Sequence, residues 1–279
     1  MKTETQYLLS IDVDDLLIAN ADLFGARLPS DYRSNLETEL AQTLDLLSEC
    51  DCTATFFVNA QYCHDCDDIV REIVSRGHSI ASHGYRHHHV GKISLESFKN
   101  DLIRSLDTLG KYQPRIIGYR PPAFTMPYQD EYFQIVSDNG IKYVSSGAGY
   151  ARSNVPRLNL PAALTDNLQH VPISTTFLRG VGVKYPVGYG VISRLLPESV
   201  YLLTLGQWLK RNDYFHFYCH SFEVAGVNAR IPKEFSWSAA IATRIYMLRC
   251  RNRHSLFRKI FGSTPFQAIE YALFNHAAE

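Results

Sequence analysis

The sequence has no surplus of either charge: 28 Lys+Arg face 28 Asp+Glu, and the formal net charge is zero. A protein that grips nucleic acid by neutralising phosphates needs a basic excess, so that class is set aside. No apolar run approaches the length of a membrane span, and no basic-then-apolar leader opens the chain. The expectation is a soluble, cytoplasmic protein without an integral membrane segment. Cysteine is sparse, with six in 279 residues. Cys50-x-Cys52 and Cys63-x-x-Cys66 leave a zinc knuckle or a disulfide open, but Cys52 and Cys219 fall in strand-like runs, where a thiol behaves as a small apolar group. Reduced thiols are the default. There is no internal repeat, no low-complexity stretch and no clear boundary, so a single domain over 1–279 is expected.

What the chain does have is alternation. Tyr7–Val13, Thr53–Val58, His78–Ser82, Arg115–Tyr119, Lys142–Ser145, Gln169–Ile173 and Tyr214–Cys219 carry the β-branched and aromatic density of buried strands. Between them, helical spacing covers Asn35–Cys50 (Leu36, Leu40, Leu44, Leu47), Asp67–Arg76, Leu95–Leu109 behind a Ser94 cap, Tyr128–Asn139 and Ser199–Lys210. Phe235–Arg249 and Pro265–Phe274 read as terminal helices. Strands alternating with helices predict an α/β fold, a distorted (β/α) barrel of about seven parallel strands. Residues 146–198 are less regular and are read as an insertion that rims the site. In such folds chemistry collects at the carboxyl ends of the strands.

Two stretches at strand ends carry chemistry. His83-Gly84-Tyr85-Arg86-His87 places two imidazoles four residues apart, with a glycine to turn the backbone between them. Ser10-Ile11-Asp12-Val13-Asp14-Asp15 ends the first strand, and alternation puts Asp12 and Asp14 on one side. Clustered acids repel unless a cation lies among them. Two imidazoles and a carboxylate with open positions suit zinc, and also cobalt, nickel, iron or manganese.

These motifs, with Gly118-Tyr119-Arg120-Pro121-Pro122-Ala123-Phe124, Tyr143-Val144-Ser145-Ser146 and Phe217-Tyr218-Cys219-His220-Ser221-Phe222-Glu223 in this order, resemble the polysaccharide deacetylases. This is family four of the carbohydrate esterases, related to chitin and peptidoglycan deacetylases. More narrowly they resemble its exopolysaccharide-locus branch, over about residues 7–260. The resemblance implies Asp12 as general base, Asp14, His83 and His87 as metal ligands with Asp15 as the alternative ligand, Arg120 pairing with Asp12, and His220 as general acid. It implies a tetrahedral oxyanion held partly by a backbone N–H near Tyr85 or Pro122. Tyr85, Pro121, Pro122, Phe124, Gly188 and Tyr189 are expected to line the substrate groove, near an Arg194-Leu-Leu-Pro stretch. Val144 stands where the branch has Asp. The implied reaction is removal of an N-acetyl group from an amino sugar in a polysaccharide or lipid-linked glycan precursor. A deformylase or other amidohydrolase on the same scaffold, and an inactive carbohydrate-binding homologue, are the alternatives. The sequence leaves the oligomeric state open.

Overall fold

The structure, a computed structural model, describes residues 6–18, 28–30, 32, 34–146, 162–177, 184–193, 196–226, 231–250 and 254–274. Strand β1 (Gln6–Val13) lies second from one edge of an eight-stranded sheet. It is followed by α1 (Leu36–Glu49), β2 (Thr55–Val58), α2 (Asp67–Ser75), β3 (Ser79–Ser82), α3 (Leu95–Leu109), β4 (Gly118–Tyr119), α4 (Asp130–Asp138) and β5 (Tyr143–Ser146). Each strand is buried on both faces, which is why its sequence reads as a continuous apolar run. The helices cover the outside. Leu36, Leu40, Leu44 and Leu47 of α1 are all buried, and Ser94 caps α3 by accepting the Ser97 N–H at 3.1 Å.

The chain continues through β6 (Ala162–Thr165), β7 (Leu168–Pro172), β8 (Thr176–Phe177), β9 (Lys184–Tyr185), α5 (Gly190–Ser193), α6 (Glu198–Leu209) and β10 (Tyr214–His220). It ends with α7 (Ser221–Ala225), α8 (Trp237–Cys250), α9 (His254–Gly262) and α10 (Ile269–Phe274). The sheet order is β10-β1-β2-β3-β4-β5-β7-β6, parallel throughout except for the β6–β7 hairpin. Seven parallel strands therefore build the wall, as the alternation predicts, and one antiparallel strand extends its edge. The sheet curls on itself. Ser174 donates its N–H to the His216 carbonyl, and the Gly188 backbone bridges Ser174 and Tyr218.

Two expectations are corrected. The described part of 146–198 is more than a rim, because β7 pairs with β5 and completes the wall. Residues 147–161, 178–183 and 194–195, Arg194 among them, lie outside the described residues. The terminal helix starts at Ile269 rather than Pro265, because Gln267 pairs in parallel with Leu8 at the base of β1. At the barrel floor, Glu270 of α10 accepts hydrogen bonds from Thr55 Oγ1 and from the Tyr143 hydroxyl, the latter at 2.5 Å.

Candidate active site

Register brings the chemistry together. Asp12 at the end of β1 lies directly across from His220 at the end of β10, and on its other side from Phe57 of β2. His83 follows β3 and Arg120 follows β4 at the same end of the barrel. Parallel pairing delivers residues that are 108 and 208 positions apart in the chain to one rim.

Arg120 is fully buried, and every group around it has a defined direction. Nη1 donates to Asp12 Oδ1 at 2.5 Å, and Nη2 donates to Ser10 Oγ and Ser145 Oγ, both at 2.7 Å. His216 Nδ1 lies 3.0 Å from the Pro172 carbonyl, which can only accept, so Nδ1 carries the proton. Its Nε2 then accepts the Ser10 hydroxyl at 2.7 Å. Burial, with the nearby Arg120 charge, holds the His216 imidazole well below its ordinary pKa, consistent with this neutral tautomer. The guanidinium carbon sits 3.9 Å over the Phe57 ring and 4.8 Å from Tyr218, an aromatic bed that favours a cation.

Asp14, His83 and His87 converge. Asp14 Oδ2 is 3.5 Å from His83 Nε2 and 3.4 Å from His87 Nε2, and one ligand atom from each of the three lies within 4.8 Å of the others. His83 Nδ1 donates to the Arg120 carbonyl at 2.8 Å, so its Nε2 lone pair is turned inward. Asp14 Oδ1 is buried and has no hydrogen-bond partner. Burial alone would raise the Asp14 pKa, but the two imidazoles outweigh it and hold the carboxyl well below the ordinary carboxylate range. An orphaned carboxylate oxygen, an oriented imidazole and a second imidazole on one point fit a divalent cation. Among the described residues the groups able to hold an ion contain no cysteine, and five cysteines are free thiols.

Asp15 does not join this set. Its Oδ1 accepts the N–H groups of Leu17 and Ile18, at 2.8 and 2.9 Å. Its Oδ2 accepts Tyr32 and Ser34 hydroxyls at 2.8 and 2.5 Å. It caps the turn after β1, so the alternative-ligand expectation is corrected.

The His83–His87 loop is built from α3. Gly84 takes a φ of +81°, and a Cβ there would meet Asp101 Oδ2 at 2.9 Å. Asp101 accepts the N–H groups of Tyr85 and Arg86 at 2.8 and 3.0 Å. This removes the Tyr85 N–H from any oxyanion role, and Pro122 has no N–H to offer. The Tyr85 ring lies under the Arg104 guanidinium, 3.7 Å away, and faces α3 rather than the cavity.

The cavity of about 250 Å³ is lined by Asp12, Asp14, His83, His87, His89, Leu16, Ala123, Phe124, Tyr218, His220, Phe222 and Tyr246. Phe124 in this lining is held at a φ of +56°. Pro121 and Pro122 are buried beneath the wall, and Pro122 Cγ lies 3.8 Å from where a Gly84 Cβ would stand. Gly188 closes the barrel instead of facing substrate, since a Cβ there would collide with the His216 carbonyl. Tyr189 supports the wall edge-on, 5.5 Å from the Tyr218 ring. Val144 points outward into the main apolar cluster, while its neighbour Ser145 faces Arg120. A larger cavity of about 870 Å³ lies between α6 and α9, far from these groups.

His220 stacks on Phe222 at 4.6 Å, and its Nε2 lies 3.0 Å from the Tyr218 hydroxyl. Its Nδ1 is 3.2 Å from Glu223 Oε1, which also accepts the Tyr246 hydroxyl at 3.0 Å. Burial lowers the His220 pKa, but the Glu223 hydrogen bond and charge, with Asp12 and Asp14, raise it above the ordinary value. Glu223, Ser10, Ser145 and Asp101 had no role in the sequence reading. Only Glu223, three residues after His220 at a strand-to-helix turn, offered a local signal.

Comparison with known proteins bears on the fold and on the first half of the chain. The polysaccharide deacetylase family model matches residues 31–144. A peptidoglycan-N-acetylglucosamine deacetylase of Bacillus cereus is 28% identical over 102 residues, 37% of this chain and 34% of that protein. The chain thus spans about a third of the length of the curated relatives it matches. A candidate polysaccharide deacetylase from Mycobacterium smegmatis superposes with a TM-score of 0.57 at 18% identity, over 95% of this chain and 94% of that one. A pseudoenzyme of carbohydrate esterase family four from Bacillus anthracis gives a TM-score of 0.51 at 12% identity, over 98% and 66%. Residues 31–144, which include the His83–His87 loop, thus resemble the polysaccharide deacetylases, and the curled parallel sheet shares the fold of the Mycobacterium smegmatis structure.

Proposed function

We propose that this chain is a metal-dependent hydrolase that removes the N-acetyl group from an amino sugar of a glycan. The observation that carries the reading is the buried, unpartnered Asp14 Oδ1 beside the inward-turned Nε2 of His83. Asp14, His83 and His87 would hold a divalent cation, zinc being the best fit to two imidazoles and one carboxylate. Such a cation supplies Lewis acidity to an amide carbonyl and lowers the pKa of water.

The chain's own residues supply the proton transfers. Asp12, oriented by its hydrogen bond from Arg120, takes the proton of the attacking water through Oδ2, the oxygen that Arg120 Nη1 leaves open. His220 then gives its Nε2 proton to the departing amine. Glu223 keeps the opposite nitrogen protonated and the ring oriented, as a carboxylate does behind a catalytic imidazole. Acetate and the free amine are the products. The cavity falls below the usual 300–1,000 Å³ of a drug-sized site. It therefore takes the N-acyl sugar ring, and the rest of a glycan lies outside it.

The Bacillus anthracis neighbour shows that this fold also occurs in a pseudoenzyme. An inactive reading would require a broken base, ligand or acid, whereas here Asp12 pairs with Arg120, Asp14 meets His83 and His87, and His220 lines the same cavity. The test is incubation of the zinc-loaded protein with N-acetylhexosamine oligomers, followed by mass spectrometry and assays for acetate and formate. Acetate release is expected. Formate release on N-formyl sugars alone would move the activity to a deformylase, and no turnover on either with metal bound would sink the hydrolase reading.

A further inference from the structure

Helix α8 is apolar on two opposite faces. Inward, Ala239 and Thr243 are buried, and Tyr246 and Met247 pack against Leu16 and Phe222 beside the cavity. Outward, Trp237, Ile241, Ile245 and Leu248 are 82%, 39%, 46% and 62% exposed. Their spacing of four, four and three residues aligns them in one stripe, about 17 Å long at the helical rise. Single exposed apolar residues need no explanation, but a contiguous stripe ending in a nearly bare tryptophan does.

The charge around the stripe says what it meets. Residues 235–269 contain six Lys+Arg and no Asp or Glu, so the neutral total conceals a basic segment set against an acidic remainder. Arg258 and Lys259 are paired with Glu49 and Glu198, whereas Arg244 is exposed on α8 beside Ile245. A two-fold contact of this face with a second copy would bring Arg244 against the same cationic face, and no acid between residues 235 and 269 is there to pair with it. An anionic lipid surface satisfies both halves of the face. Trp, Ile and Leu enter the headgroup boundary while Arg meets lipid phosphate. No described helix is long and apolar enough to cross a membrane, so the contact is with the surface.

We propose that α8 is a docking helix for an anionic membrane surface, lying on it through Trp237, Ile241, Ile245 and Leu248. Tyr246 projects from the opposite side of the same helix onto Glu223 and lines the cavity. Docking therefore holds the cavity about one helix diameter, roughly 10 Å, from the lipid. On the hydrolytic reading above, that position suits an amino sugar carried on a lipid phosphate. The docking itself does not depend on that reading.

The full chain is mixed with vesicles of phosphatidylcholine plus phosphatidylglycerol, and separately with vesicles of phosphatidylcholine alone. Binding is read by co-sedimentation and by Trp237 emission in a Trp208→Phe background. Expected are binding to the anionic vesicles that weakens as salt is added, and a blue shift of Trp237. The Ile241→Ser/Leu248→Ser variant should bind at least about tenfold more weakly, with an unchanged melting temperature and unchanged turnover of a soluble acetyl ester. Equal binding of that variant and the parent, or no binding to either vesicle, overturns the proposal. So does a concentration-dependent dimer that the double variant abolishes without any vesicle binding. Vesicle binding by a protein that hydrolyses nothing would leave docking standing and remove the catalytic reading.

Discussion

Arg120 illustrates how a single side chain can set a site. Its guanidinium makes three directed hydrogen bonds, one to the proposed base and two to the serines Ser10 of β1 and Ser145 of β5. A lysine could not reproduce that fork. Asp12→Asn keeps the shape but removes the proton acceptor, and should cut deacetylation by about 10²- to 10⁴-fold while bound metal is retained. Paired turnover and elemental measurements on the variant check this. Ser10→Ala leaves His216 Nε2 without its donor and Arg120 Nη2 with one acceptor fewer. The expected cost is about 1–3 kcal/mol in urea denaturation, the penalty for an orphaned buried polar group. The motif residues were legible because their chemistry is local. Ser10, Ser145 and Asp101 were not, since each is an ordinary residue whose partner lies elsewhere in the chain and is supplied only by strand register or by α3.

At the scale of elements, the carboxyl ends of β1, β3, β4 and β10 carry the proposed base, ligands, arginine and acid, and short segments lock them from behind. α5 is one such lock. A Cβ on Gly190 would collide with Glu223 Oε2 and stand 2.7 Å from the Cys219 Cβ. Gly190→Ala should therefore push Glu223 off His220 and lower kcat more than KM, which steady-state kinetics on a soluble acetyl ester would show. Rescue of kcat by raising pH alone would contradict it, because without Glu223 the His220 imidazole gives up its proton more readily and is less often protonated as pH rises. Strand–helix alternation made the parallel wall readable. It did not reveal β6, where Ala162-Ala163-Leu164-Thr165 is short and carries no aromatic or β-branched density before Thr165. Nor did it reveal the Gln267 bridge to Leu8, where tertiary pairing overrides a helical pattern. The direction of Tyr85 was likewise set by Asp101 and Arg104 of α3, which no local pattern announces.

For the whole molecule, buried titratable groups fix how stability follows pH. Burial lowers His78, with a smaller contribution from Arg76, and lowers His170, each from 6.5 to about 4. Below about 6.5 the unfolded chain takes up protons that the folded chain refuses, so both residues should erode stability as pH falls towards 4. Glu39 acts in the opposite sense. Burial, with the Asp15 charge, raises it from 4.5 to about 8, so its contribution is complete below 4.5 and is lost as pH rises towards 8. Glu39→Gln should raise the melting temperature at about pH 9 and leave it nearly unchanged at about pH 4. Thermal melts across pH, parent against variant, decide this, and an equal shift at both ends would contradict it.

The central claim is that Asp14, His83 and His87 hold one divalent cation at the mouth of the barrel. The most direct measurement is elemental analysis of the purified protein and of His83→Ala, with a circular dichroism spectrum of each. The account predicts about one metal per parent chain and loss of that metal from a variant that remains folded. Undiminished metal in His83→Ala would contradict it.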